Sequence, residues 1–392
     1  MSRQKQVYES GAEWLPVLPD HLIVEILSWA PVKSLIRFKC VSKSWNSLIG
    51  SDSHFRKLHL QRSSAKPTNL QLLIDSSCVE TMGPSWPVTE LLDNPSYTLN
   101  PKPQHLYTQD HSFIGTCNGL IALRGSSIYR VGLLRYFWVC FWNPATRTKS
   151  RNSPSCYGLT RFGFGYDPIN DTYKVVGLFS NPIRLQVPQR DRVRVYSMGG
   201  NCWRDVASFP EDGVTLEKMN GVCVNGTLNW VAFRHNSDNI VKQVVIVSFH
   251  LGNETNAEFP LPNLLDHETW FLLSPTLWVL KDCLYVSHYH AANHYMIWQM
   301  KEFGVKESWR VFLNIDLDCL PSKYPGFRMM PLPMCLFENN NVLMIFSEGF
   351  YQRYAVLYKH KDSTVASLGI RTTIFLYSVL YYAESLVSVS PT

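Results

Sequence analysis

Four aromatic residues, each inside a short β-forming run, recur at a near-constant interval: Tyr196, Phe249, Trp298 and Tyr358 lie 53, 49 and 60 residues apart. Around them one two-part phrase repeats. Phe162–Asp167 and Tyr173–Leu178 lead into Val193–Ser197 and Cys202–Arg204; Gly221–Val231 is answered by Val244–Leu251. Thr276–Tyr289 is answered by Met296–Met300 and Ser308–Phe312, and Met334–Ser347 by Tyr354–His360. Phe113–Leu123 and Val139–Thr148 form a further unit at the front. Asn118-Gly119 and Asn225-Gly226 are hairpin signals, because two-residue turns need a positive φ that Asn and Gly adopt.

A period near ~50 with four short strands per unit gives sheets whose faces only a neighbour can cover, and such units close into a ring. An irregular β-sandwich uses the same strands and stays open on the residues alone. Five units are readable. Two lone strands flank them, Leu70–Ile74 before and Ala383–Val389 after. Unpaired edges are aggregation-prone, so the spacing predicts that these two segments pair in a composite sixth unit that latches the ring.

Ahead of the repeats, residues 18–55 have a different period. Leu22, Ile23, Ile26 and Leu27 follow Asp20 at helical spacing, with Pro19 at the start and Pro31 forbidding continuation. A second helix is predicted from Val32 to about Phe38. A third is predicted over about Val41–Ile49, with Val41, Trp45, Leu48 and Ile49 on one face and Gly50 as the stop. Three helices this short bury little area alone. From composition they could equally be a helical cap or linker on the β domain.

The chain has 392 residues, 45% hydrophobic and 17% charged, which suits one large or two unequal domains and excludes a disordered composition. A formal charge of +6 without a basic run gives no nucleic-acid signature. The most apolar windows, Phe271–Leu280 and Ile374–Tyr382, fall short of the ~18–20 residues that span a bilayer. Residues 1–13 are polar and lack the apolar core of a signal peptide. The ten cysteines contain no C-x-x-C pair, so they read as thiols of a reducing compartment, the cytoplasm, the nucleus or both.

Catalytic readings find little. No G-x-S-x-G elbow occurs, and no cysteine pairs with a histidine in a recognisable pattern. Gly163-Phe164-Gly165 lacks a phosphate-loop continuation and reads as close backbone approach in a hairpin. His288 and His290 share one strand face with His294 nearby, a possible metal seed, but an acidic or cysteine partner is not apparent. Neither a catalytic residue nor a metal nor a cofactor is therefore assigned.

Two resemblances join the halves. Leu18-Pro19, Glu25-Ile26-Leu27, Pro31-Val32-Lys33-Ser34-Leu35 and Arg37-Phe38-Lys39-Cys40-Val41-Ser42-Lys43-Ser44-Trp45 resemble the plant F-box, with Trp29 and Ala30 departing from its usual pattern. Cys117-Asn118-Gly119-Leu120, Trp142-Asn143-Pro144-Ala145-Thr146, and Phe162–Asp167 followed by Tyr173-Lys174-Val175-Val176 resemble the F-box-associated, kelch-like domain of plant F-box proteins. The glycine pair of a strict kelch repeat is absent. The resemblance implies an α+β chain by domain: a disordered stretch 1–13, a three-helix F-box over 14–60, a linker and irregular connection over 61–110, and an all-β, propeller-like domain over 111–390. It implies a non-catalytic receptor subunit of a Skp–cullin–F-box ubiquitin ligase, whose partners are a Skp-type adaptor, the cullin–RING ligase and an unknown protein substrate, with neither nucleic acid nor membrane. The adaptor would meet Leu18, Pro19, Leu22, Ile23, Val32 and Leu35. A non-degradative scaffold and a β-propeller enzyme remain as alternatives. Gln61–Pro67 reads as a polar linker that implies few obligatory contacts between the two modules.

Overall fold

The computed structural model describes residues 18–64, 70–76, 85–87, 111–128, 135–179, 192–206, 214–217, 219–235, 241–261, 275–290, 294–316, 330–336, 341–348, 352–359, 364–372 and 376–389. Residues 1–13, read as disordered, and most of the 61–110 linker and connection lie outside them. Helices α1 (Asp20–Ser28) and α2 (Val32–Phe38) begin directly after Pro19 and Pro31. Proline suits this position because it lacks the N–H that a helix start leaves unpaired. Helix α3 (Lys43–Ser51) starts two residues later than expected, where the Ser42 hydroxyl accepts from Trp45 N at 3.1 Å. Val41 thus precedes the helix and is exposed, and Gly50 lies within the helix instead of ending it.

A fourth helix follows, α4 (Ser53–Ser64), capped by Asp52, whose Oδ1 accepts from Phe55 N at 2.8 Å. Gln61–Ser64, read as the start of a linker, are its last turn. Only two apolar residues beyond Phe55, Leu58 and Leu60, mark this helix among charged and polar neighbours, so its periodicity is weak.

The described strands form six antiparallel sheets. Blade 1 holds β1 (Leu70–Ser76) and β2 (Ser85–Pro87). Blade 2 holds β3 (His111–Cys117), β4 (Leu120–Ile128), β5 (Arg135–Asn143), β6 (Thr148–Lys149) and β7 (Cys156–Tyr157). Blade 3 holds β8 (Leu159–Asp167), β9 (Thr172–Phe179), β10 (Arg192–Ser197) and β11 (Arg204–Val206). Blade 4 holds β12 (Val214–Leu216), β13 (Val222–Val224), β14 (Thr227–His235), β15 (Val241–His250) and β16 (Asn256–Pro260). Blade 5 holds β17 (Thr276–Leu280), β18 (Cys283–His290), β19 (His294–Met300) and β20 (Trp309–Asp316). Blade 6 holds β21 (Met330–Leu336), β22 (Val342–Glu348), β23 (Gln352–Lys359) and β24 (Thr364–Thr372), and β25 (Leu376–Ala383) returns to blade 1.

The four aromatics that set the period, Tyr196, Phe249, Trp298 and Tyr358, all fall on the strand third in order across their blades, β10, β15, β19 and β23. Hairpins β3–β4 and β13–β14 turn on Asn118-Gly119 (φ 52° and 78°) and Asn225-Gly226 (φ 48° and 72°). Hairpin β17–β18 makes the same positive-φ turn with Lys281 and Asp282 (φ 47° and 57°), residues that carry no such signal in the sequence.

Apolar cores lie between neighbouring blades, which decides for the ring over a sandwich. Phe141 packs with Phe164 between blades 2 and 3, Val195 with Trp230 between blades 3 and 4, and Ile246 with Val286 between blades 4 and 5. Ile297 packs with Met344 between blades 5 and 6. Gly163 and Gly165 do allow close approach: a Cβ there would strike Trp230 and Cys223 of blade 4.

Blade 1 closes the ring as a latch. Strand β1 pairs antiparallel with β25 from Leu70↔Ala383 to Ile74↔Val379. Tyr381 then packs toward blades 5 and 6 and Tyr382 into blade 2. The latch strand is thus Leu376–Ala383, not the expected Ala383–Val389. The segment Glu384–Val389 is non-repetitive yet partly buried, and it bonds to other parts of the molecule.

Candidate functional site

Two faces of α1 have different fates. Leu27 is 3% exposed and joins Val32, Leu35, Ile49 and Phe55 in the helical core, with Ile23 and Val24 packed at its edge. Leu18, Leu22, Ile26 and Trp29 point the other way and are 51%, 40%, 59% and 49% exposed. Spacings of four, four and three residues place them in one stripe along the helix. Pro19 is exposed beside it.

Of the six expected contact residues, the structure brings Leu18, Pro19 and Leu22 to this surface and leaves Ile23 half-buried at its margin. Val32 and Leu35, at 1% and 0% exposure, lie inside the module, because α3 and α4 cover the face of α2 that carries them. They support the surface from beneath. Ile26 and Trp29, which are not among the six, belong to the stripe as well. The signal was present: Leu22, Ile23, Val24, Ile26 and Leu27 are too many apolar residues for one helix face.

Helix α4 braces α1. The Arg62 guanidinium sits 4.7 Å from the centre of the Trp29 ring, donates to Glu25 Oε2 at 2.7 Å and to Glu25 O at 3.1 Å, and also bonds Ser28 Oγ. This bond from Arg62 holds the Glu25 carboxyl below its usual range. His59 donates from Nε2 to Ala30 O at 3.0 Å, and burial lowers the pKa of its ring.

The module is sealed onto the propeller by residues 384–389. Leu386, 6% exposed, belongs to the same core as Leu27, Val32 and Leu35, and Ala145 from the β5–β6 turn packs at its edge. The Ser63 hydroxyl of α4 donates to Glu384 O at 2.9 Å. Asn143, at the end of β5, donates from Nδ2 to Ser385 O and Val387 O at 3.0 and 2.8 Å. Gly119, at φ 78°, leaves no room for a Cβ against Ser385 and Ala383. Lys57 and Asp171 add an ion pair at 3.0 Å between α4 and the β8–β9 turn, but both side chains are mostly exposed, so it adds under about 1 kcal/mol. The expectation of few contacts between the modules is therefore overturned. A chain segment remote in sequence completes the helical core.

All three sequence phrases of the β domain serve this end of the ring. Asn118-Gly119 receives Ser385, Asn143-Pro144-Ala145 grips the segment and touches the helices, and Asp167–Asp171 forms the turn that carries Asp171 to Lys57. The fully buried Asp167 accepts from Ile169 N, Asn170 N and Asn170 Nδ2 at 2.9, 3.2 and 2.7 Å, and pairs with Lys174 at 2.8 Å. Lys174 also donates to Leu251 O at 2.7 Å, tying blade 3 to blade 4. Burial pushes the Asp167 carboxyl up, but the bonds from Lys174 and Asn170 outweigh it and hold the pKa at about 2.

Two of the three histidines singled out as a metal seed, His288 and His294, are otherwise engaged. His288 Nε2 accepts from Trp298 Nε1 at 3.1 Å and Nδ1 donates to Tyr289 O at 2.8 Å, so both ring nitrogens are used. His294 Nδ1 pairs with Asn314 Oδ1 at 3.1 Å. Among the described residues no helix is long and apolar enough to cross a membrane.

A helical module with an open apolar stripe, fused to a closed ring of β blades, defines an F-box chain with a propeller. The F-box domain family matches residues 15–57, and the F-box associated beta propeller domain family matches residues 71–389. The chain belongs to the F-box-associated β-propeller family. An F-box/kelch-repeat protein of Arabidopsis thaliana is 29% identical over 85% of this chain and 86% of its own length. A second F-box protein of Arabidopsis thaliana is 28% identical over 89% and 87%. Among solved structures, the periplasmic gluconolactonase of Pseudomonas aeruginosa is similar at a TM-score of 0.42 and 9% identity, covering 78% of this chain and 83% of its own.

Proposed function

We propose that this protein is the substrate-recognition subunit of a Skp–cullin–F-box ubiquitin ligase, acting in the cytoplasm or nucleus without a catalytic role of its own. One observation carries the reading: the α1 stripe of Leu18, Leu22, Ile26 and Trp29 stays open to solvent in the full chain, although Leu27, Val32, Leu35, Ile49 and Phe55 are sealed inside the module. Four such side chains in line are an apolar surface that a partner's helices would cover. The Skp-type adaptor is the partner that the family membership supports. The propeller, held rigidly behind the module, then presents a bound protein at a fixed distance from the ligase.

Reconstitution tests this. The full chain mixed with a recombinant plant Skp-type adaptor, cullin and RING subunit should elute as one complex. Depleting the protein from plant cells should raise the abundance of the proteins it captures. Failure to bind any plant adaptor rejects the ligase reading; adaptor binding with unchanged abundance of captured proteins favours a non-degradative scaffold.

A further inference from the structure

We infer that the seam between blades 2 and 3, at the end of the ring away from the helices, accepts an acidic segment of the target protein, an inference that rests on the receptor reading above. The helices and residues 384–389 occupy the end of the ring marked by the turns at Asn118, Pro144 and Pro168. Strand β4 runs from that end to Ile128, which pairs with Arg135 at the other, and β8 begins beside Tyr157 at the other end and arrives at Asp167. Arg135, Tyr157 and Arg194 therefore lie toward the far end, and Arg124 lies midway along β4.

The seam is floored by aromatic rings. The Arg124 guanidinium stands 5.4 Å from the ring centre of Phe137 and 5.3 Å from that of Phe162, one ring from each blade, and its Nε donates to Ser112 Oγ at 3.0 Å. Arg194 stands 5.6 Å from the Tyr157 ring, which lies 6.4 Å from that of Tyr136. Arg194 is bound to Asp205 at 2.7 Å and to Cys156 Sγ at 2.8 Å. Arg161, nearby, spends its guanidinium on Glu217 O, Leu216 O and Thr160 and is not counted.

Arg124 and Arg135 form no ion pair with any carboxylate among the described residues. Arg124 is half-buried, and burial together with the neighbouring charge of Arg135 lowers its pKa. A half-buried guanidinium without a carboxylate partner, with a second arginine on the same sheet face, is a costly arrangement that an oxyanion relieves. With its Nε spent on Ser112, Arg124 has its terminal nitrogens left to donate bonds to a carboxylate. The tyrosine edges beside it suit the stems of a peptide better than a polynucleotide, and the chain's charge of +6 provides no extended basic track.

The test uses the full chain bound to the Skp-type adaptor and labelled peptides of about a dozen residues. A glutamate-rich peptide should bind at ~50 mM salt, weaken as salt rises, and bind at least about tenfold more weakly to the Arg124→Gln/Arg135→Gln variant. Arg310→Gln, an exposed change on blade 5, should leave binding unchanged. If the double variant melts early, exposed Arg135→Gln alone should still weaken binding severalfold. Equal binding of a glutamine peptide of the same length, no effect of either seam variant, or binding only of a phosphopeptide or single-stranded DNA overturns the inference. Adaptor retention in the same samples separates the two readings: adaptor bound without the glutamate peptide rejects the seam alone, and adaptor unbound rejects the receptor reading.

Discussion

The side-chain amide of Asn143 donates to the carbonyls on either side of Leu386, Ser385 O at 3.0 Å and Val387 O at 2.8 Å, while its own oxygen accepts from Ala145 N at 3.0 Å. One buried side chain therefore fixes both the β5–β6 turn and the segment that seals the helices. Replacing it with Leu removes the donor and leaves two buried carbonyls unpaired, at about 1–3 kcal/mol each. Asn143→Leu should lose at least about 2 kcal/mol in urea unfolding. Asn143→Asp should also weaken the protein, since it replaces the donor with a second acceptor.

Leu386 acts at a distance. Leu386→Ala should cost about 2–3 kcal/mol, and the loss should appear in the helical module as well as in the ring. Hydrogen exchange should quicken in α1–α4, and, under the receptor reading, adaptor affinity should fall although no residue of the exposed stripe has changed. Unchanged exchange in the helices would show that Leu386 stabilises the propeller alone.

Surface and core within the module separate by paired substitutions. Leu22→Asp with Ile26→Asp should weaken adaptor binding by more than about tenfold and leave the melting temperature within a degree or two, because both side chains already face water. Leu35→Asp should unfold the module, because it buries a charge among Leu27, Ile49 and Phe55. Co-precipitation and thermal melts of the two variants should therefore move in opposite patterns.

The Asp167–Lys174 pair predicts an acid transition. A carboxyl held at about 2 in the folded protein, against ~3.9 unfolded, gives stability that is complete above pH ~4 and lost as pH falls from there toward 2. Asp167→Asn leaves Lys174 without its buried partner and should cost about 3 kcal/mol at pH 7. The difference between variant and parent in urea midpoint should shrink steadily below pH 4.

Much of this was legible from spacing. The aromatic period found the third strand of four blades, and Asn-Gly found two hairpins, because both signals are local. Two lone strands implied a latch, but the C-terminal partner was misassigned. Leu386-Val387-Ser388-Val389 is β-forming by composition, yet Asn143 and the helical core claim its bonding groups first, while the apolar run ending at Tyr382 supplies the strand. The core position of Val32 and Leu35 was hidden for a similar reason. Their burial depends on α4, whose alternation is weak, and on Leu386, more than 300 residues away. The Lys281-Asp282 turn was unreadable because it has neither the Asn nor the Gly that marks such a turn, and the register of β17 with β18 imposes it.

Residues 384–389 also set an order in time. A chain emerging from the ribosome presents α1–α4 first and the residue that seals their core hundreds of residues later. A product terminated inside the blades carries the whole exposed stripe on a helical core that lacks Leu386. Under the receptor reading proposed above, such fragments should compete poorly for a limiting adaptor with chains that have closed their ring.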